Sequence, residues 1–317
     1  MHPVFLCPGQ GAQAVGMGKG WFDASTAARS VFEAADRTLS LPGGAKLSEL
    51  CFGGPAETLN RTDVSQPALY TCGVACARTL AERGVADPIA AAGLSLGEYT
   101  ALHLAGAFSF EDGLRLVATR GRLMQQAAES SRGGMVALIG ADEAQAAEAC
   151  SRTLAACGAG EVLVAANFNA PGQIVLSGSA AACAKAVEVA GEIGLRATAL
   201  QVAGAFHSPL MAPAAEGLAA ALDGVTFHPL RCEVWSNVTA RPHERENPKL
   251  LKKLLVDQLV NPVRWSQSCS DLVTWTRARA GSPDGIKFLE LAPGSVLKGL
   301  FRRIDRSAEV TSHDQPT

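Results

Sequence analysis

The sequence predicts an α/β fold with a small inserted subdomain, and three observations carry that prediction. Short apolar runs at 4–7 and 88–92 read as buried strands, with helical patterns between and after them. The second run leads into Gly93-Leu94-Ser95-Leu96-Gly97 and then a helix, the strand–turn–helix context of a G-x-S-x-G nucleophile elbow. From about residue 131 the order becomes β-α-β-β-α-β, that of a ferredoxin-like unit. A chain of 317 residues is long enough for one large domain with such an insert. The expected division is an α/β-hydrolase-like large subdomain over 1–130 and 203–317, with a ferredoxin-like small subdomain over 131–202.

The strand at 4–7 breaks at Pro8-Gly9-Gln10-Gly11-Ala12-Gln13, a loop with almost no side-chain bulk. Gly9-x-Gly11-x-x-Ala14 superficially fits the dinucleotide fingerprint. Against it, Pro8 separates strand from loop, and no second strand ending in an acidic residue follows at the usual interval. The other reading is a loop whose bare N–H groups approach an oxyanion. Residues 27–39 and 67–83 carry Ala, Leu and Val at helical spacing. In the elbow, Gly93 and Gly97 leave room for a strained turn, and Ser95 stands at the start of a helix over 98–104. Free N–H groups there favour developing negative charge. The motif alone is equally compatible with a Gly-rich turn and an incidental serine.

Ser109-Phe110-Glu111-Asp112 resembles a helix start, and the helix over 111–128 carries Arg120. Its neighbours three and four positions away are Leu116, Val117, Leu123 and Met124, all apolar. Arg115 and Arg122 have polar neighbours and read as solvent-facing charges. A cation on an apolar face needs an anion. Spacing alone favours a structural ion pair, because such pairs are commoner than ligand clamps; the alternative is a fork for a substrate carboxylate.

The insert reads as strands at 135–139, 161–167, 173–177 and 196–202, with helices at 142–156 and 180–193 and a turn at Asn169-Ala170-Pro171-Gly172. The chain then returns through Gly204-Ala205-Phe206-His207-Ser208-Pro209. His207, at this re-entry, is the best-placed candidate base among six histidines, against the plainer reading of a loop histidine capping backbone. His2, His243 and His313 lie in terminal or polar stretches, His228 sits beside Pro229, and His103 reads as a packing residue at the far end of its helix. The remainder reads as strand 233–238, helix 248–259, strand 286–291 and helix 295–304, with a frayed tail over 306–317.

Formal charge is −2 and 18% of residues are charged, which points to neither nucleic acid nor an acidic membrane surface as partner. No stretch is apolar enough to span a bilayer. The nine cysteines include no C-x-x-C pair; Cys72 and Cys76 read as core packing, no metal site is expected, and reduced thiols imply a reducing compartment. Met1-His2-Pro3 runs almost directly into a strand, leaving no room for a leader. The expected location is cytoplasmic, or plastid or mitochondrial if a transit peptide has been removed.

These motifs form an ordered set. The first loop, Gln66-Pro67-Ala68, the elbow with Glu98-Tyr99, Arg120-Gly121, Asn167 with Pro171-Gly172-Gln173, Ala205-Phe206-His207, Gln258 with Asn261-Pro262-Val263-Arg264-Trp265, and Pro293-Gly294 follow one another in that order. The chain closely resembles malonyl-CoA:acyl-carrier-protein transacylases of dissociated fatty-acid synthesis, from about residue 4 to 304. That resemblance turns Arg120 from a structural pair into a clamp for the free malonyl carboxylate. It implies Ser95 as nucleophile, His207 as base oriented by the main-chain carbonyl of Gln258, and the N–H groups of Gln10 and Leu96 as oxyanion hole. Gln66, Asn167 and Phe206 join Arg120 as substrate-binding residues. The implied partners are malonyl-CoA, as substrate rather than cofactor, and holo acyl carrier protein. A monomer is expected, with no other cofactor.

The commoner elbow has His before the serine, where this chain has Leu94; plastid-type members resemble it, and polar support for the elbow must then come from elsewhere. Phe206 matches the malonyl-selective form of related polyketide acyltransferases, while Gly204 departs from the histidine often found there. Rival functions are a serine hydrolase or thioesterase on the same scaffold, a polyketide-pathway acyltransferase, and a dinucleotide-binding module on the Gly9 loop. Carrier proteins are acidic, so Lys252-Lys253 and Arg302-Arg303 are candidate docking pairs.

Overall fold

A computed structural model describes residues 2–279 and 285–316; Met1 of the expected N-terminus and Thr317 of the expected tail lie outside them. It is a mixed α/β structure with one parallel and one antiparallel sheet. The parallel sheet has the order β7-β2-β1-β8-β9, where β1 is His2–Cys7, β2 Ala90–Gly93, β7 Glu233–Val234, β8 Ile286–Glu290 and β9 Val310–Ser312. Parallel strands covered by helices on both faces need apolar residues at successive positions, which is why β1 reads as an unbroken apolar run. Alternate side chains serve different cores: Phe5 and Cys7 pack into one cluster with Ala91 and Leu289, Val4 and Leu6 into another with Ala90, Ala92 and Phe288.

Register fixes where the chemistry sits. Cys7 pairs with Gly93, so the loop leaving β1 and the elbow leaving β2 emerge side by side at the carboxyl edge of the sheet. A Cβ on Gly9 would lie 2.2 Å from the carbonyl oxygen of Leu94, so the loop reaches the elbow only with a bare residue there. The loop runs into a series of turns before the six-residue helix Lys19–Ala24, and four further α-helices precede the next strand, which begins at Ala90. That is not the βαβ unit a dinucleotide fingerprint requires.

The antiparallel sheet has the order β4-β5-β3-β6, with β3 Gly133–Ile139, β4 Leu163–Ala170, β5 Gln173–Ser179 and β6 Arg196–Ala199. The helices Glu143–Cys157 and Ala180–Glu192 fall in the expected places. The first is started by a capping box in which Asp142 accepts from the Gln145 N–H at 2.8 Å and its own N–H donates to Gln145 Oε1 at 3.0 Å. The sheet is stitched to the rest of the chain through β4: Phe168 N–H donates to the Val263 carbonyl at 2.9 Å, and Val263 N–H to that of Ala166 at 2.8 Å.

Several expectations need correction. The helix expected from residue 67 spans Thr62–Glu82, with Pro67 in its second turn; five extra residues at its start bring Thr62 and Gln66 toward the site. The strand expected over 233–238 ends at Val234, because Ser236 N–H turns back to bond the Arg241 carbonyl at 2.9 Å. The tail expected to fray instead supplies edge strand β9, and Asp314 is held by Trp21, whose Nε1 donates to its carbonyl at 3.0 Å. The helices Ala212–Asp223 and Trp265–Arg279 have no counterpart in the sequence expectations.

Candidate active site

The elbow holds Ser95 at φ +50°, two residues after β2 ends at Gly93 and two before the Gly97–Leu104 helix begins. A Cβ on Gly93 would lie 1.8 Å from the carbonyl carbon of Gly97, so the turn closes only without one. A non-glycine residue at positive φ costs about 1–3 kcal/mol. Asn237 offsets it: Ser95 N–H donates to its Oδ1 at 2.6 Å, and its Nδ2 donates to the Gly93 carbonyl at 2.8 Å. Each buried bond contributes about 0.5–1.5 kcal/mol net. The polar support that Leu94 cannot give therefore comes from the segment after β7.

Ser95 Oγ lies 2.8 Å from His207 Nε2, and His207 Nδ1 lies 2.7 Å from the main-chain carbonyl of Gln258. A carbonyl only accepts, so the ring proton sits on Nδ1 and the Nε2 lone pair faces the serine hydroxyl. Burial above all, then the charge of Arg120, pushes His207 down to about 4, against the opposing pull of the Gln258 carbonyl. The imidazole is neutral at pH 7 and free to accept a proton.

Arg120 is fully buried on the Phe110–Ser131 helix. Its Nη1 donates to Gln66 Oε1 at 2.7 Å; its Nη2 donates to Gln258 Oε1 at 2.8 Å and to Ser95 Oγ at 3.0 Å, and the guanidinium lies over the Tyr99 ring. All three hydrogen-bond acceptors are neutral. The ion pair that spacing alone favoured is absent: among the described residues no carboxylate bonds Arg120 directly. Burial lowers its pKa, but a guanidinium keeps its charge in a protein. A buried cation whose hydrogen-bond acceptors are neutral, with one edge beside a nucleophile, has the chemistry to receive an anion.

A cavity of about 340 Å³ opens on this group. Ser95, His207, Gln10, Leu96, Arg120, Asn167 and Phe206 all line it, with Leu94, Met124, Met135 and Val175 as apolar wall. Gln66 and Gln258 stand behind the guanidinium instead and reach the cavity through it. The first loop is latched in place: Gln10 Nε2 donates to Thr62 Oγ1 at 3.3 Å and Gln13 Nε2 to Asn60 Oδ1 at 2.9 Å.

Sequence reasoning missed three residues. Asn237 fell in an expected strand, and nothing local marks it. Glu98 was part of the quoted elbow without a role; it is buried, with Oε2 accepting from Asn237 N–H at 3.1 Å and from Gln258 Nε2 at 2.7 Å. His243, set aside as lying in a polar stretch, is buried with its Nε2 2.7 Å from Glu98 Oε1.

A family model described as an acyl transferase domain matches residues 4–309. The malonyl CoA-acyl carrier protein transacylase of Bacillus subtilis is 40% identical over 316 residues, covering 99% of this chain and 93% of that protein. The chain belongs to this acyltransferase family. Among solved structures, an acyl-carrier-protein S-malonyltransferase from Burkholderia pseudomallei superposes with a TM-score of 0.89 at 37% identity, covering 100% of this chain and 97% of that one. A malonyl-transacylase solved in complex with a holo type II polyketide acyl-carrier protein gives 0.89 at 34% identity, with 100% and 97% covered. Membership in the family fits the clustering of every predicted site residue around one cavity or directly behind it.

Proposed function

We propose that this enzyme transfers the malonyl group of malonyl-CoA to the phosphopantetheine thiol of acyl carrier protein, supplying fatty-acid synthesis. The observation that carries the reading is the buried guanidinium of Arg120, 3.0 Å from the Ser95 hydroxyl and, among the described residues, hydrogen-bonded to neutral groups. A hydrolase for neutral acyl groups has no use for it.

The reaction runs in two half-steps. Ser95 Oγ attacks the thioester carbonyl as its proton passes to His207 Nε2, and the oxyanion is met by the main-chain N–H groups of Gln10 and Leu96. Collapse expels the coenzyme A sulfur, which takes the proton from His207 and leaves a malonyl-Ser95 ester. The carrier-protein thiol then gives its proton to His207 and attacks the ester, and Ser95 leaves with that proton restored. Arg120 holds the malonyl carboxylate throughout, while Asn167 and Phe206 border the acyl group and Gln66 fixes the guanidinium. The mechanism calls on no cofactor: the malonyl thioester and the carrier-protein thiol are both substrates.

The fold reading extends this. Residues 131–202 act as a ferredoxin-like lobe, supported by their sheet order, and 1–130 with 203–317 as an α/β-hydrolase-like lobe, supported by the elbow at the carboxyl edge of a parallel sheet. Ser95, His207 and Arg120 meet within one chain, so a single protomer holds a complete set of the enzyme's own groups and a monomer is the state we propose. No helix among the described residues is long and apolar enough to cross a membrane. The nine cysteines are free, which supports a reducing, cytoplasmic setting.

The test is transfer itself: purified enzyme, malonyl-CoA and holo acyl carrier protein, with carrier-protein mass followed over time. Malonyl carrier protein that forms with wild type and not with Ser95→Ala supports the reading. Coenzyme A release with the carrier protein unmodified contradicts it and favours a hydrolase.

A further inference from the structure

Gln258 plays two separable parts. Its main-chain carbonyl orients His207, whereas its side-chain amide lies between two buried charges: Oε1 accepts from Arg120 Nη2 at 2.8 Å and Nε2 donates to Glu98 Oε2 at 2.7 Å. A second bond from Nε2, to the Ser95 carbonyl at 3.1 Å, ties the amide to the elbow. The amide has one sensible orientation, because a half-turn would set its oxygen against the carboxylate and its NH₂ against the guanidinium. We propose that Glu98 is a positioning residue for the acyl transfer, acting through the Gln258 amide to hold the Arg120 guanidinium ready for the substrate carboxylate. This rests on the malonyl-transfer reading of the site.

The arrangement answers a conflict that any buried carboxylate receptor faces. A buried guanidinium needs a compensating anion, yet a carboxylate placed directly on it would fill the place meant for substrate. Interposing one amide keeps the anion near and the receptor edge open. Glu98 is itself held by three partners from two segments: Gln258, and from the loop after β7 the Asn237 N–H at 3.1 Å and His243 Nε2 at 2.7 Å. The carboxylate that aims Arg120 therefore also anchors the backbone of the residue supporting Ser95, so nucleophile and clamp share one reference point.

The test measures Ser95 acylation rates from malonyl-CoA and from acetyl-CoA in Glu98→Ala, Gln258→Ala and the double variant. Gln258→Ala keeps the carbonyl that orients His207. The malonyl-to-acetyl ratio should fall about tenfold or more in each single variant, and the double variant should fall no further than the worse single one, since both cut one relay. Glu98→Gln should recover the ratio only in part: its carbonyl oxygen can accept from Gln258 and Asn237 while its NH₂ donates to His243 in the other tautomer, but the compensating negative charge is gone. The ratio is independent of the folded fraction, so loss of stability in Glu98→Ala does not mask the result. An unchanged ratio in Glu98→Ala, additive losses in the double variant, or no recovery in Glu98→Gln would overturn the relay alone. A wild-type enzyme that malonyl-CoA does not label would overturn the malonyl-transfer reading and the relay with it.

Discussion

Arg120 Nη2 donates to the Oγ of Ser95 across 3.0 Å, so the group that would recognise the acyl carboxylate also touches the nucleophile. Recognition and attack are one geometry. Truncating one partner of a buried charged pair costs about 2–5 kcal/mol, or roughly 30- to 4,000-fold. Arg120→Ala should lower malonyl loading of Ser95 within that range and acetyl loading far less, read as acylation rates for both thioesters. Arg120→Lys should not recover it, because one ammonium cannot reach Gln66, Gln258 and a carboxylate together.

Asn237 is the support for an elbow that lacks a histidine before its serine. Asn237→Ala strands the Ser95 N–H and the Gly93 carbonyl, each buried group costing about 1–3 kcal/mol. Urea denaturation should show a loss of that order, and the acylation rate should fall as Ser95 relaxes from φ +50°.

The pH dependence follows from His207, whose folded pKa is pushed below the ordinary 6.5 to about 4. Between these values the unfolded chain binds the proton that the folded chain refuses. His207 therefore contributes its full stability above pH 6.5 and loses it as pH falls toward 4, together with His103, which burial also pushes down to about 4. Single-turnover acylation should stay flat from pH 8 to 6 and reach half its value near 4. A half-point at 6.5 would contradict the buried, neutral imidazole.

Gly9→Ala tests the first loop. Its Cβ would lie 2.2 Å from the Leu94 carbonyl oxygen, so the loop carrying Gln10 must move away from the elbow. Loss of one oxyanion donor costs about 10²–10³ in rate. The expected signature is a fall of that size in kcat with little change in KM for malonyl-CoA.

Docking of an acidic carrier protein favours the Arg302–Arg303 pair. Both are exposed, and Arg303 reaches the Gly172 carbonyl at 3.4 Å, on the turn beyond the cavity-lining Asn167 and Asn169. Lys253 is already engaged by Asp257, and Lys252 lies over the Phe227 ring. Reversing both arginines to Glu should raise KM for carrier protein several-fold and leave malonyl loading unchanged. Unaltered transfer kinetics would remove this pair.

What the sequence made legible is what local chemistry encodes. The elbow glycines, the bare first loop and the order of the inserted strands are consequences of steric and periodic rules that act within a few residues. Arg120 shows the limit. Spacing marked it as a cation needing an anion, but only the fold shows that Gln66, Gln258 and Ser95 meet it, from positions 54, 138 and 25 residues away. Asn237 and His243 were illegible for the same reason, being polar residues in a loop whose burial depends on Glu98, more than 130 residues earlier. The tail was misread because a three-residue edge strand carries too little pattern to be seen without its neighbour β8.

The most direct measurement of the central claim is intact-protein mass after brief mixing with malonyl-CoA or acetyl-CoA, for wild type, Ser95→Ala and Arg120→Ala. One malonyl adduct on wild type, none on Ser95→Ala, a weak one on Arg120→Ala and little labelling by acetyl-CoA is the predicted result. Equal labelling by acetyl-CoA, or a malonyl adduct that survives Ser95→Ala, would contradict it.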